Sequence, residues 1–158
     1  MEINKKEIAV LIGFILLCNL AGIIGSVFTV SSIQEWYVLL EKPEPFTPPN
    51  WVFAPVWTTL YTLMGISLFL VWKKKACRCA YVVFGSQLVL NSVWSIAFFG
   101  LQSPLNGLFV IVPLWLLIAW SIKVFYDIDK RAGYLLIPYI LWTSYAAFLN
   151  YMVYVLNA

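Results

Sequence analysis

Histidine is absent from this 158-residue chain, and cysteine is scarce. Without imidazole there is no histidine general base, no histidine-ligated zinc or iron, and no histidine axial ligand for haem. The three cysteines do not complete a metal site, because Cys77 and Cys79 form an isolated C-x-C pair and Cys18 lies alone in an apolar run. The sequence therefore predicts no metal site and no resident cofactor.

The chain also contains few charged residues. Charged residues make up 11% of the chain and hydrophobic residues 63%, whereas a soluble domain carries roughly 25% charged residues. A small globule cannot hide so much apolar surface from water. A soluble enzyme and a disordered chain are therefore excluded, and a net charge of +3 is too small to indicate a nucleic-acid partner. The composition is that of an integral membrane protein.

Five uncharged runs are long enough to cross a bilayer as helices, which takes roughly 20 apolar residues. They are continuously apolar, so the alternating pattern of a membrane β-barrel strand is absent. We expect an all-α integral membrane protein, a single domain over residues 1–158 built as a bundle of five transmembrane helices. The runs are Ile8–Val30, Trp51–Trp72, Ala80–Leu101, Leu105–Ile122 and Tyr134–Leu156.

The first run has one alternative interpretation. Lys5 and Lys6 precede it, and the small residues of Ser26–Ser32 resemble a signal-peptide cleavage region. The run is longer than the ~7–15 apolar residues usual in a signal peptide, so we favour a retained helix.

Basic residues predict the orientation, because lysine and arginine concentrate on the cytoplasmic side of membrane proteins. The N-terminal tail and the second and fourth loops, which share one side, hold nine of the ten basic residues. Only Lys42 lies on the opposite side, beside Glu41 and Glu44. The N-terminus is therefore predicted to be cytoplasmic and the C-terminus outside.

The first loop is long and rich in proline. It spans Ser31–Asn50, whereas the other connections are short. Proline restricts its own backbone and that of the preceding residue, so we expect a stiffened loop. Such a loop serves either as a lid or binding element, or as a solvated connector with interfacial aromatic residues. Its prolines are Pro43, Pro45, Pro48 and Pro49.

None of the five runs contains an ionisable Asp, Glu, Lys or Arg, so ion-coupled transport and a retinal Schiff base are not expected. The third run does carry amides. Gln87, Asn91, Trp94 and Phe98 follow one another at steps of four, three and four, which places them on one helix face. This face either holds helices together by hydrogen bonds or lines an aromatic pocket with a few orienting amides.

Aromatic stripes recur in two other runs. Phe53, Trp57 and Tyr61 repeat every fourth residue in the second run, and Trp142 and Ala146 do so in the fifth, followed by Leu149 or Asn150. Such stripes either pack helices or form ligand walls. A pocket of indole and phenol rings with two amides suits a large, flat, mostly apolar molecule, for which a porphyrin and a sterol both qualify.

Together these residues resemble the translocator protein family, also called TspO/MBR, tryptophan-rich sensory proteins or the peripheral benzodiazepine receptor. The resemblance extends over nearly the whole chain from Trp36 onward. Its blocks are Trp36-Tyr37, Leu40-Glu41-Lys42-Pro43, Thr47-Pro48-Pro49, the segment 51–61, Gln87-Leu88 with Asn91 and Trp94, Phe98-Phe99-Gly100, Pro138-Tyr139 with Trp142, and Ala146 with Leu149-Asn150-Tyr151.

The resemblance implies a five-helix membrane protein, usually a homodimer, with a pocket under the first loop. It implies binding of porphyrins such as protoporphyrin IX and haem, and of benzodiazepine-site ligands, for tetrapyrrole sensing, transport or disposal in a prokaryotic cell (inner) membrane. The porphyrin would be a ligand, and the lipid bilayer the other partner. The implied pocket residues are Tyr37, Trp57, Tyr61, Gln87, Asn91, Trp94, Trp142, Ala146 and Leu149.

Two other functions remain open. The first is light-dependent degradation of protoporphyrin, which some bacterial members of the family that this chain resembles carry out; the resemblance implies Trp57 and Trp142 as the electron donors. The second is a membrane scaffold, in which the aromatic stripes only pack helices. The cholesterol-recognition pattern of animal members is incomplete here, because Leu149 and Tyr151 are present but Met152–Ala158 contains no lysine or arginine. Sterol binding is therefore not expected.

Overall fold

The computed structural model describes residues 4–158, which form no β-strand. A 3-10 turn (Tyr37–Leu39) lies in the long loop, a second one (Asn50–Val52) leads into the next helix, and a π-helical turn (Ile96–Gly100) extends the third. The six α-helices are α1 (Lys5–Glu35), α2 (Phe53–Lys73), α3 (Arg78–Ser95), α4 (Pro104–Ile128), α5 (Lys130–Leu135) and α6 (Ile137–Leu156).

Five stretches of these helices are long and apolar enough to cross a membrane, which confirms the predicted all-helical membrane fold. The fifth consists of α5 and α6, which follow each other with Leu136 between them. The stretches are Lys5–Glu35, Asn50–Lys73, Arg78–Gly100, Pro104–Ile128 and Lys130–Leu156.

Several helices extend beyond the predicted apolar runs, most of all at the C-terminal ends of α1 and α4. α1 continues to Glu35, so that the loop loses its first five residues, and α4 continues to Ile128. Charged side chains do not end a helix once it leaves the hydrocarbon layer, and Lys123 pairs with Asp127 one turn later at 3.0 Å. The break comes at Asp129, whose side chain caps α5 and accepts hydrogen bonds from Arg131. These bonds hold the pKa of Asp129 below its usual value.

The helices pack against one another as a bundle. α1 packs on α2 and α3, α3 packs on α4, and α4 packs on α6. α2 and α6 meet through long aromatic side chains, because the Phe53 and Trp142 rings lie 6.1 Å apart and those of Trp57 and Tyr139 6.3 Å apart. This arrangement leaves space beside α2 near the long loop.

α1 and α2 approach each other closely at the end of the bundle away from the long loop. A Cβ atom at Gly65 would lie 2.6 Å from the Cα atom of Ile15, so only glycine permits this crossing. The Glu7 carboxylate pairs with the Lys73 ammonium at 3.0 Å at the same end.

We expect Gly65→Ala to lower the thermal unfolding midpoint in detergent, because the added methyl group overpacks the α1–α2 crossing by about 1–3 kcal/mol. Gly85→Ala is the matched control, since a Cβ atom there has nothing within 4 Å. Both substitutions gain the same helix propensity, about 1 kcal/mol. The difference between their unfolding midpoints therefore reports the steric cost at the α1–α2 crossing alone. Equal midpoints for the two variants would contradict the close approach.

Candidate functional site

A cavity of about 610 Å³ lies beneath the long loop, between α1, α2 and the loop-side ends of α3 and α6. Its volume falls within the ~300–1,000 Å³ of typical small-molecule sites. No lining residue, among those that the structure describes, is acidic or basic. The aromatic residues of the lining are Tyr37, Trp51, Phe53, Trp57, Tyr61, Trp94, Phe98 and Phe99.

Trp57 is the centre of the aromatic wall. Its indole stacks on the Tyr61 ring, with centroids 5.6 Å apart, and lies tilted 6.4 Å from the Trp94 ring. Trp94 in turn stacks on Phe98 at 5.8 Å. Side chains from α2 and from the extended α3 therefore form one continuous surface of ring faces and edges, the form of contact that aromatic guests favour.

The π-helical turn places two consecutive rings against the cavity. Phe98 and Phe99 both lie in this turn, and both are buried. In the turn the amide of Leu101 donates to the carbonyl of Ile96 at 2.8 Å, which is an i to i+5 bond. The Tyr37 ring meets the two phenylalanine rings edge-on, at 6.2 and 5.8 Å.

Lys42 holds the part of the loop that covers the cavity. Its ammonium donates to the carbonyl oxygens of Tyr37 at 2.8 Å and Leu40 at 2.9 Å, and lies over the Tyr37 ring. Burial, together with the nearby Tyr145 phenol, raises the pKa of Tyr37 to about 12. The Tyr37 phenol is therefore neutral at physiological pH.

The rest of the loop is tied to α6. The backbone amide of Glu41 donates to the Asn157 side chain at 3.0 Å, and the Asn157 amide donates back to the Glu41 carbonyl at 2.9 Å. The Tyr145 hydroxyl donates to the carbonyl of Phe46, whose ring packs on Phe148 at 6.0 Å. The proline-rich loop is thus an ordered cap over the cavity, consistent with the predicted stiffening.

A buried hydrogen-bond chain lies below the cavity. The Tyr61 hydroxyl donates to the Oδ1 atom of Asn91, and the Asn91 side-chain amide donates to the Tyr139 hydroxyl oxygen at 3.1 Å. The chain joins α2, α3 and α6 at a depth where water is excluded. Of the two interpretations of this helix face, interhelical hydrogen bonding or the lining of a pocket, Asn91 fits the first.

A second amide supports the aromatic wall from the other side. The Trp94 indole N–H donates to the Oδ1 atom of Asn150 at 3.2 Å, and the Asn150 amide donates to the Pro104 carbonyl at 2.7 Å. A Cβ atom at Gly107 would lie 2.5 Å from the same Oδ1 atom, so glycine is needed for this approach. Asn150 therefore fixes Trp94 while it lines the cavity itself.

The structure brings six of the nine sequence-predicted pocket residues to the cavity and leaves three outside its lining. Gln87 and Asn91 lie deeper in the bundle, because the helix face that they share with Trp94 continues below the aromatic wall. Trp142 lies instead in a separate groove between α2 and α6, beside Pro55 and Tyr145. The six residues in the lining are Tyr37, Trp57, Tyr61, Trp94, Ala146 and Leu149.

Trp142 and Gln87 lie outside the cavity for different reasons. The Phe53 ring lies between Trp142 and the cavity, 6.1 Å from the indole. Gln87 is 1% exposed, and neither polar atom of its side chain has a hydrogen-bond partner within residues 4–158. Trp142 is therefore separated from the cavity by the Phe53 ring, whereas Gln87 is separated from it by its depth in the bundle.

Sequence reasoning missed the contribution of α1. Eight α1 residues line the cavity, including Gly22, Ser26 and Thr29. Their steps of four and three fit one helix face, but small residues within a uniformly apolar run carry no amphipathic signal. The complete α1 set is Asn19, Gly22, Ile23, Ser26, Thr29, Val30, Ile33 and Gln34.

Comparisons with known proteins agree with this architecture. The model of the TspO/MBR family matches residues 14–156. The chain is 43% identical over 157 residues to the "Tryptophan-rich protein TspO" of Chlorobaculum tepidum, covering 97% of this chain and 99% of the relative. It is 45% identical over 150 residues to the protein of the same name from Archaeoglobus fulgidus, covering 94% and 97%. It is 33% identical over 145 residues to the "Translocator protein" of Bos taurus, covering 89% and 85%.

Asn91→Leu should lower the free energy of unfolding by about 1–3 kcal/mol, because it leaves the buried Tyr61 and Tyr139 hydroxyls without their partner. The triple variant Asn91→Leu/Tyr61→Phe/Tyr139→Phe should recover most of this loss, since no polar group is then left unpaired. Thermal unfolding in detergent measures both. A triple variant less stable than the single one would contradict the hydrogen-bond chain.

Proposed function

The chain belongs to the TspO/MBR family, and from this premise we propose that it is a membrane receptor or carrier for porphyrins. Protoporphyrin IX is the ligand that we propose first, with benzodiazepine-site ligands as competitors for the same cavity. Haem would bind without a histidine axial ligand, because the chain contains no histidine. The cellular role would be the sensing, transport or disposal of tetrapyrroles.

The observation that carries this proposal is the uncharged cavity with a continuous aromatic wall around Trp57. Stacking of one ring on another contributes about 0.5–1.5 kcal/mol beyond the buried area. A porphyrin offers a large flat face to several such rings at once. The Tyr37 and Tyr61 rings are both buried and line the cavity together with Trp57.

Polar groups at the loop side of the cavity suit the edge of a porphyrin. Gln34 and Asn50 line the cavity next to the long loop and are exposed. Their amides are able to donate hydrogen bonds to the two carboxylates of protoporphyrin IX while these remain in contact with water. The charged edge would then stay at the membrane surface, and only the apolar ring system would enter the protein.

Light-dependent degradation of the pigment has less support. That hypothesis needs both Trp57 and Trp142 beside the porphyrin, but Trp142 lies behind Phe53 in the separate groove. Of the two indoles, Trp57 lines the cavity and Trp142 does not. Binding without a chemical step therefore fits the lining better than catalysis.

We also propose that the end of the bundle at Lys73 faces the cytoplasm and the capped cavity faces the other side, in a prokaryotic cell membrane. Lys73, Lys123 and Arg131 all lie at the former end. The single basic residue at the other end, Lys42, is bound to backbone carbonyls of the loop. This asymmetry follows the positive-inside rule.

Titration of the protein in lipid nanodiscs with protoporphyrin IX should give a saturable change in the absorption of the pigment. Trp57→Phe should weaken the affinity about fivefold to tenfold, which corresponds to ~1 kcal/mol of stacking. Trp142→Phe is the matched control and should bind like the parent protein.

Three outcomes separate the possible roles. If the parent protein gives no saturable change, the porphyrin proposal fails. If Trp57→Phe lowers the unfolding midpoint but leaves the affinity unchanged, the aromatic wall only packs helices, as in a scaffold. If illumination consumes pigment in excess over protein, and Trp57→Phe abolishes this, the degrading enzyme is supported instead.

The orientation predicts which introduced cysteines are reached from outside an intact cell. Leu39→Cys, at a loop position that is 78% exposed, should react with a membrane-impermeant maleimide on intact cells. Lys75→Cys, in the connection between α2 and α3, should react only after permeabilisation. The reverse pattern would place the N-terminus outside.

A further inference from the structure

The two walls of the cavity differ in how far they are covered by protein. On the wall formed by α3 and α6, Trp94 is 8% exposed, Phe98 3% and Leu149 7%. On the wall formed by α1 and by the 3-10 turn that leads into α2, Ile23 is 60% exposed and Trp51 74%. All five residues line the same cavity. The cavity is therefore sealed towards the bundle and open on the side of α1 and α2.

The opening follows from the way α1 and α2 cross. The two helices touch through Gly65 and Ile15, and the Tyr61 ring fills the space beside Gly22, where a Cβ atom would collide with it. Beyond Gly22, towards the loop, residues of both helices line the cavity instead of packing on each other. α1 and α2 thus diverge from a closed crossing towards the loop.

Small side chains border this gap. On α1 these are Gly22, Ser26 and Thr29, and on α2 Ala54 and Thr58. None of them is large enough to close the space between two diverging helices. We call this set the α1–α2 gap.

The surface of the gap is compatible with hydrocarbon. The Ser26 hydroxyl donates to the Ile23 carbonyl at 2.7 Å, and the Thr29 hydroxyl donates to that of Gly25 at 3.1 Å. Thr58 does the same towards the Ala54 carbonyl at 2.9 Å. Each hydroxyl is satisfied within its own helix, so an apolar molecule passing here leaves no donor unpaired.

On the loop side, the edge of the cavity at Gln34 and Asn50 meets water, but the loop itself is fastened to the bundle. The Lys42 ammonium, the paired Glu41–Asn157 bonds and the Tyr145–Phe46 bond hold the loop over the cavity. A guest that came this way would have to break several of these contacts. A guest that came through the gap would break none of them.

We propose that the cavity is filled and emptied sideways, through the α1–α2 gap, by a flat apolar molecule dissolved in the hydrocarbon layer of the bilayer. The identity of the guest as a porphyrin rests on the proposed function. The gap itself follows from the divergence of the two helices and stands without it.

The first experiment measures binding rates of protoporphyrin IX by stopped flow, with the protein in lipid nanodiscs. Ser26→Phe and Thr58→Phe narrow the gap and should slow association and dissociation together, each about tenfold, so that the two rates change far more than the affinity. Val89→Phe is the matched control, because Val89 is exposed on α3 away from the cavity and should leave both rates unchanged.

Loosening the loop tests the competing route. Asn157→Ala removes the bonds to Glu41, and Asn157 is not itself a lining residue, although its amide also donates to the backbone carbonyl of Val153. We expect the association rate of Asn157→Ala to equal that of the parent protein. If Asn157→Ala accelerates association while the two phenylalanine variants leave it unchanged, access is under the loop and the proposal is wrong.

A second experiment needs no porphyrin. A phospholipid with a photoactivatable diazirine in its acyl chain, incorporated into the nanodisc, should label Trp57 through the gap, as well as the lipid-facing Val89. Tyr139, which is 1% exposed, should stay unlabelled. Labelling of Val89 without Trp57 would show a closed gap. If Trp57 is labelled but protoporphyrin IX does not bind, the porphyrin proposal fails and the sideways route remains.

Discussion

Polar side chains inside a membrane must find their partners within the protein, and this constraint shapes the cavity of this chain. The side-chain amide of Asn91 accepts a hydrogen bond from the Tyr61 hydroxyl and donates one to the Tyr139 hydroxyl oxygen. Asn150 does the equivalent for the Trp94 indole and the Pro104 carbonyl. Because these groups satisfy each other, the rings above them are held in place and present apolar faces to the cavity.

The same constraint explains how much of the site is readable in the sequence. An amide in an apolar run must face the bundle, so the inward face of the third helix, with Asn91 and Trp94, is predictable from spacing alone. The distance of each residue from the cavity is not predictable in this way. Asn91 and Trp94 share a face, but Asn91 lies below the cavity and Trp94 lies in its wall. Periodicity gives the direction of a side chain and leaves its depth undetermined.

α1 and α6 show two reasons why the cavity lining could not be fully predicted from the sequence. The serine and threonine hydroxyls of α1 bond to their own helix and lie in a long apolar run, so no amphipathic pattern marks them as cavity residues. In α6, Trp142 and Ala146 are four residues apart, yet the Phe53 ring from another helix screens only the first of them. Which neighbour covers a residue depends on the packing of whole helices, and a single sequence does not contain that information.

The π-helical turn at Ile96–Gly100 has a consequence for reading sequences of this kind. A π-turn holds one residue more than an α-turn, so by the end of the turn at Gly100 the side-chain direction is displaced by about 100° from the α-helical count that begins at Arg78. An alignment in which a relative lacks that extra residue would need a one-position gap here, even where every flanking residue matches. Without it, Phe98 and Phe99 would be equated with residues that point in other directions.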